Sequence, residues 1–403
     1  MFKKIFIGFT IIILVAISFS VYIHEENIDD LAYIIAVAID KGENDILDIT
    51  FQMSIPNESK SSESNGSKSS SESGGSSKDT VSKTIECKSF NSGINQLNNL
   101  TSKRVDLSHC KLIIFSEEIA KDGVSDFIYT LENNLQLRSN CSILVSNSKA
   151  KDFLENSTPT FESSTVSFYE TIRNSSKYTG YTYNVDLNHF YTSIYDSFGE
   201  PCATLTYVTN KKEEDSDSSS NENSSNKKDI KFDGLAVFKG DKLIGELSPE
   251  ETLCFLIVTN NLKRAILSIP SPFDENKTID IHLSKFDNTK HSVKIENSIP
   301  NISTNIYLDC TILSSSLDFN ANDSQYMDNL ELSVSDYIKK TIENFYQKIS
   351  KEYKSDICGF GKYAVKFFLT ENEWKSYNWN DVFSESTFDV KTNINVNTSY
   401  FIS

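Results

Sequence analysis

No two of the seven cysteines in this 403-residue chain stand at CxxC spacing. They are scattered singly, at Cys87, Cys110, Cys141, Cys202, Cys254, Cys310 and Cys358, which supports neither a zinc ribbon nor a thioredoxin-like redox motif. An odd count in a long chain does not describe a disulfide scaffold, and most of these residues are expected to serve as small buried apolar side chains. The five histidines, His24, His109, His189, His282 and His291, form no HxxxH pair, so the usual metal-ligand spacings are missing. There is no GxSxG elbow, Walker A loop, HExxH helix or EF-hand loop. Positive charge is short as well. Fifty-six acidic residues face 39 basic ones, a formal net charge of -17, and a nucleic-acid binder needs basic surface against phosphate. With so many acids, carboxylate pairs arise by chance and carry no weight as a glycosidase signal. No catalytic, cofactor-binding or metal-ligating residue is nominated.

What is present begins with an apolar leader. Lys3 and Lys4 precede a run from Ile5 to Ile23 that is long enough to cross a bilayer core, which takes about 20 residues. The flank that follows is acidic, with Glu25, Glu26, Asp29 and Asp30, so the N-terminus is expected inside and the body exported. Ser18 and Ser20 also sit at the spacing a signal peptidase accepts, so residues 1–23 are either a transmembrane anchor or a signal peptide cleaved after Ser20. Next comes the stretch 31–39, an unbroken apolar run closed by Asp40, Lys41 and Gly42. Its length and its Tyr, Ile and Val content predict a central strand covered on both faces, with a short buried helix as the alternative.

Further along, 46–55 reads as a second strand, antiparallel to the first across a short turn. The stretch 57–82 is almost wholly Ser, Gly, Lys, Glu and Asn and is expected to be a disordered insertion. Then a helix capped by Ser89, with Ile94, Leu97 and Leu100 on one face, leads to a strand at 111–115. Ser116 caps a helical stretch carrying Val124, Phe127, Ile128, Leu131 and Leu135. Strand 142–146 and helix 148–156 complete an α/β layer, followed by helices at 161–173 and 185–196 and a strand at 203–208. The polar run 211–229 is expected to be a disordered linker between an N-terminal domain, 24–210, and C-terminal α/β structure, 230–403. That second part opens with a hairpin, 233–238 and 243–247, and a helix whose start is marked by Ser248, Pro249 and Glu251. Strands at 279–283, 292–295 and 305–313 precede the longest helix, 330–354, with Val334, Ile338, Ile342, Phe345, Ile349 and Tyr353 on one face. An alternating strand through Phe388, Val390, Ile394 and Val396 closes the chain. The expected fold class is α/β of the α+β type: multi-domain, with mixed sheets and packed helices behind the N-terminal segment.

Several of these stretches resemble one family. Asn27-Ile-Asp-Asp-Leu-Ala32 followed by an apolar strand and Asp40-Lys41 is similar to the mature N-terminus of the Ger(x)C spore-germination proteins, the C subunits of germinant receptors. His109 and Lys111 fall in register with a Gly-His-Leu-Lys-type stretch, and Lys149-Ala-Lys-Asp-Phe-Leu154 matches another. So does the block from Gly234-Leu-Ala-Val-Phe to Glu250-Glu251-Thr252. The most specific match is Tyr353-Lys-Ser-Asp-Ile-Cys-Gly-Phe-Gly361, with Trp374 and Trp379 behind it. Taken alone, Gly359, Gly361 and Ala364 imitate a dinucleotide fingerprint, but a helix rather than a strand precedes them, so they read as a helix stop. His109 reads as structural, since no nucleophile or carboxylate motif partners it.

The resemblance implies a non-enzymatic receptor subunit on the outer face of the inner spore membrane, beside a multi-helix A subunit and a transporter-like B subunit. One feature departs from the family: no cysteine precedes Cys87, so the usual lipidated N-terminus is missing and a spanning helix would have to replace it. Two other classes stay open, an exported solute-binding protein capturing a small germinant and, least favoured, an envelope hydrolase.

Overall fold

The structure, a computed structural model, describes residues 2–3, 5–8, 10–11, 30–55, 79–157, 159, 161–210, 228–274, 276–315 and 324–398. Most of the expected leader and insertion, and residues 211–227, lie outside that set. Among the described residues no helix is long and apolar enough to cross a membrane.

Two mixed sheets carry the fold. In the first the strands run in the order β3 (Thr80–Cys87), β2 (Leu47–Ser54), β1 (Leu31–Lys41), β5 (Leu112–Ser116), β6 (Ser142–Ser146), β7 (Cys202–Asn210), β8 (Lys228–Lys239) and β9 (Lys242–Leu247), with β4 (Arg104–Asp106) also paired to β1. The middle of the sheet, β1, β5, β6 and β7, is parallel, and so is the short β4 on β1, while β2, β3, β8 and β9 are joined by antiparallel pairings. Strand β1 is central, as its apolar run predicts, and is buried on both faces. A bulge between Ile34 and Ala36 breaks its alternation. Ile34, Val37 and Ile39 therefore join the large core, while Ile35, Ala36 and Ala38 join a smaller cluster with Phe153 and Tyr169 on the other face.

The second sheet runs β10 (Arg264–Pro270), β11 (Thr278–Lys285), β13 (Ile299–Ser315) and β12 (Lys290–Glu296), with β14 (Thr387–Thr398) parallel along β13. Because β14 covers one edge of β13, strands β11 and β12 share the other edge end to end. The helices are α1 (Phe90–Leu100), α2 (Glu117–Asp122), α3 (Ser125–Glu132), α4 (Ala150–Asn156), α5 (Thr165–Asn174), α6 (Leu187–Tyr195), α7 (Pro249–Val258), α8 (Ser324–Gln347) and α9 (Glu371–Tyr377), besides single turns. Helix α8 lies on β14 and α7, and a π turn, Lys348–Glu352, extends it. Its buried face is Leu330, Val334, Ile338, Ile342 and Phe345, with Ile349 following in the π turn. One large cluster of buried apolar side chains runs through both sheets.

Several sequence expectations are corrected. Strand β3 begins at Thr80, inside the expected insertion 57–82; its backbone pairs along the whole of β2, Ser54↔Thr80 to Leu47↔Cys87. Strand β8 begins at Lys228, and Asn210 pairs with Lys228. The stretch 211–227 thus joins neighbouring antiparallel strands of one sheet, so it does not separate two sheets, and β8 and β9 complete the first sheet. The stripe from Val124 to Leu135 is not continuous with the helix capped by Ser116: Gly123, at φ 129, separates α2 from α3. Leu135 lies beyond the end of α3 and is exposed, as is Leu100 at the end of α1, where Phe90, Gly93 and Leu97 are buried instead. Strand β10 is not among the sequence expectations, although Asn260-Asn261 before it and Pro270-Ser271-Pro272 at its end are turn-type residues.

Candidate functional site

The stretches singled out in the sequence are joined to one another by specific contacts. Asp40, at the end of β1, is buried, and its carboxylate accepts the amides of Ala150 (2.7 Å) and Lys151 (2.9 Å) at the start of α4. The Asp-Lys after the first strand and the Lys-Ala-Lys-Asp stretch are thus two halves of one helix cap. Burial raises the Asp40 pKa, with the two amides opposing it. Gly234, at φ 86, lies so near β9 that a Cβ would stand 2.2 Å from the Leu247 carbonyl oxygen, which explains the glycine in Gly-Leu-Ala-Val-Phe.

Helix α7 starts as its sequence predicts. Ser248 and Glu251 form a capping box behind Pro249. Glu251 serves twice, since its Oε2 accepts the Ser248 amide (2.8 Å) and the Lys348 ammonium (2.7 Å). That bond ties the start of α7 to the end of the α8 helical run.

The segment after that run, Tyr353–Gly361, uses its polar groups to grip the first sheet. The Tyr353 hydroxyl donates to the Glu246 carbonyl (2.8 Å), and the Ser355 hydroxyl to the Phe238 carbonyl (2.6 Å). The Asp356 carbonyl accepts the Glu200 amide (2.9 Å). The Asp356 carboxylate turns inward, and its Oδ2 accepts the Gly361 amide (3.0 Å) and the Trp379 indole Nε1 (2.8 Å). Trp379 stacks on Trp374, whose own indole donates to Ser197 (2.8 Å) in the loop before β7. The expected tryptophan pair and Ser-Asp-Ile-Cys-Gly-Phe-Gly stretch therefore form one unit around a buried carboxylate. Gly361 packs against backbone, where a Cβ would lie 2.7 Å from the Phe198 carbonyl oxygen. Gly361 is thus a glycine of close backbone packing, and a helical run rather than a strand precedes it, unlike a dinucleotide fingerprint.

Two acids share this joint. Asp356 is completely buried, and desolvation raises its pKa to about 6 against the opposing pull of the Phe360 amide and Trp379. Glu200 is also buried; desolvation raises its pKa to about 7 although its Oε2 accepts the Gly240 amide (2.6 Å). Beside them a cleft of about 250 Å³ opens between α6, the end of α7, β12 and the loop 357–363, with His189, Glu200, Asn261, His291, Lys362 and Tyr363 on its walls. His291 is held on both sides. Nε2 lies 2.9 Å from the Val258 carbonyl, which only accepts, so Nε2 carries the proton. Burial holds its pKa below the usual value, so Nδ1 of the neutral ring accepts from Thr304 (3.1 Å), and Thr304 in turn accepts from the buried Tyr346 hydroxyl (2.9 Å). Burial also lowers the His189 pKa, Asp186 opposing and Lys362 adding to the effect. Among the described residues no three His, Cys, Asp or Glu side chains converge to hold a metal ion. His109 is placed away from this joint, its ring edge-on to Tyr33 at 4.7 Å. Glu200, His291 and Tyr346 escaped sequence reading because none lies in a recognisable motif.

Comparison with known proteins places these features. The profile of the spore germination protein N-terminal domain matches residues 24–210, and that of the spore germination B3/GerAC-like C-terminal domain matches 233–400. The break between them, 211–232, falls inside the first sheet and takes in the connection from β7 to β8 and the first residues of β8. The chain is 23% identical over 297 residues to YfkR, named for spore germination in Bacillus subtilis (strain 168), covering 72% of this chain and 71% of that protein. It is 19% identical over 300 residues to the spore germination protein GerQC of Bacillus cereus, covering 74% and 77%. The crystal structure of the GerBC protein superposes with a TM-score of 0.53 at 17% identity, over 89% of this chain and 96% of that one, and so shares the fold.

Proposed function

Because the chain belongs to the Ger(x)C family of spore germination proteins, we propose that it is a subunit of a nutrient-germinant receptor. In this reading it lies on the outer face of the inner spore membrane. It works beside a multi-helix A subunit and a transporter-like B subunit, held by its N-terminal apolar segment. The observation that carries the reading is the ordered pair of family matches over 24–210 and 233–400. The subunit is non-enzymatic. In support, the polar side chains of its most specific motif are spent on backbone carbonyls, amides and an indole, which makes them parts of a rigid joint. A second reading, capture of a small germinant by this chain itself, is favoured by the cleft of about 250 Å³ beside that joint.

The test is an in-frame deletion in the spore-forming host, read as loss of spore refractility after nutrients are added one at a time. The receptor reading expects the response to at least one nutrient to be lost and restored by the full chain. An unchanged response to every nutrient that triggers the parent spores contradicts it.

A further inference from the structure

The cysteines, unremarkable by spacing, include one pair in contact. Cys110 and Cys141 are 31 residues apart, yet their sulfurs lie 3.7 Å from each other, Cys141 donating to Cys110. Both are buried. Among the described residues no other two cysteines are hydrogen-bonded sulfur to sulfur. The fold holds the two from both sides. Cys110 closes a turn by donating its amide to Leu107 (3.0 Å), and Cys141 closes another by donating to Arg138 (3.0 Å). Directly after them the chain enters β5 and β6, parallel neighbours, with the Ser142 amide on the Lys111 carbonyl (2.8 Å). The register Leu112↔Ser142 sets Lys111 opposite Cys141, so Cys110 stands one residue out of step. A strand spacing of ~4.8 Å combined with a rise of ~3.3 Å still gives roughly 6 Å between their Cα atoms, inside the roughly 4.4–6.8 Å that a disulfide spans.

We propose that Cys110 and Cys141 are a disulfide-forming pair, oxidised by a small-molecule or protein disulfide as the chain folds. One thiolate attacks a sulfur of the oxidant and displaces the first leaving thiol. The second cysteine then attacks the mixed disulfide and displaces the other, so two protons and two electrons leave the pair and the oxidant becomes two thiols. The step belongs to folding because the finished structure shields both sulfurs, and burial raises the Cys141 pKa and makes its thiolate scarce. The bond would close a loop through β5, α2 and α3, pinning the two strand starts next to the central strand. Only the place where the chain meets its oxidant rests on the exported position proposed above; the pairing itself does not.

The test uses the purified full chain, denatured and reduced, then refolded in a mixture of reduced and oxidised glutathione. The product is denatured without reductant, alkylated with iodoacetamide and digested for mass spectrometry. The expected result is a peptide pair joined through Cys110 and Cys141, with the other five of the seven cysteines alkylated. Cys87→Ser should keep that bridge, and adding reductant to the oxidised protein should lower its melting temperature by roughly 5 °C or more. Seven alkylated cysteines, a bridge between other residues, or glutathione left on Cys110 or Cys141 overturns the proposal.

Discussion

The indole of Trp379 donates to the carboxylate of Asp356 at 2.8 Å across 23 residues of sequence, wholly inside the protein. The same oxygen takes the amide of Gly361. A charged or partly charged group at such a site is retained only if its partners hold it. This bond is where the two C-terminal sequence signatures, the Ser-Asp-Ile-Cys-Gly-Phe-Gly stretch and the tryptophan pair, become one structural feature.

Asp356→Ala should therefore destabilise the chain by about 3 kcal/mol, since it strands two buried donors. Asp356→Asn keeps an acceptor and should cost clearly less. Urea unfolding followed by tryptophan fluorescence reads this directly, because Trp374 and Trp379 are the only tryptophans. Native emission of the alanine variant should shift to the red. Equal unfolding midpoints for alanine variant and parent would refute the hub.

The Gly361 contact makes a separate prediction. A Cβ there meets the Phe198 backbone at 2.7 Å, whereas at Gly240 it meets nothing within 4 Å and only the φ of 60° resists it. Gly361→Ala should cost about 2 kcal/mol or more through forced backbone movement. Gly240→Ala should cost about 1 kcal/mol. Reversal of that order in thermal or urea unfolding would show that the joint is looser than its geometry.

Glu200 predicts a pH dependence. Its pKa is raised from 4.5 to about 7 in the folded chain, so between those values the native state binds more protons than the unfolded one. Its contribution to stability is complete below about pH 4 and is lost as pH rises through about 7. Glu200→Gln still offers an oxygen to Gly240 and removes the cost of ionisation. It should raise stability at pH 8 by about 2 kcal/mol relative to the parent and change little at pH 4. The difference between the two proteins' stability-versus-pH curves isolates this residue from the histidines, and a flat difference would contradict the assignment.

How the chain is held can be weighed. An uncleaved N-terminal anchor predicts an intact mass beginning at Met1 or Phe2 in protein taken from spore membranes. A mass beginning at Val21 would mean cleavage after Ser20, with retention by partners alone. A diacylglyceryl adduct on any cysteine would exclude both.

Much of the secondary structure was legible because local chemistry fixed it. The Ser248-Pro249-Glu251 cap, the apolar run of β1 and the stripe of α8 each carry their own instructions within a few residues. The sheet order was not legible. Nothing local in 228–247 says that β8 and β9 finish the first sheet, since the deciding pairs, such as Ala203 with Ala236, are formed across a polar stretch of sequence. The joint was half legible. Its motif stood out by resemblance, but the reason for Asp356 appears only when Trp379 folds onto it, and Glu200 enters through a backbone amide and a buried carboxylate that no motif marks.

The central claim, membership of a receptor on the spore membrane, is tested most directly by affinity purification. The full chain, tagged at its C-terminus, would be solubilised from the inner membranes of dormant spores in mild detergent, and its partners identified and quantified by mass spectrometry. The account predicts a multi-helix protein and a transporter-like protein recovered in fixed proportion to the chain. Recovery of the chain alone, while both proteins are present in the same extract, would contradict it.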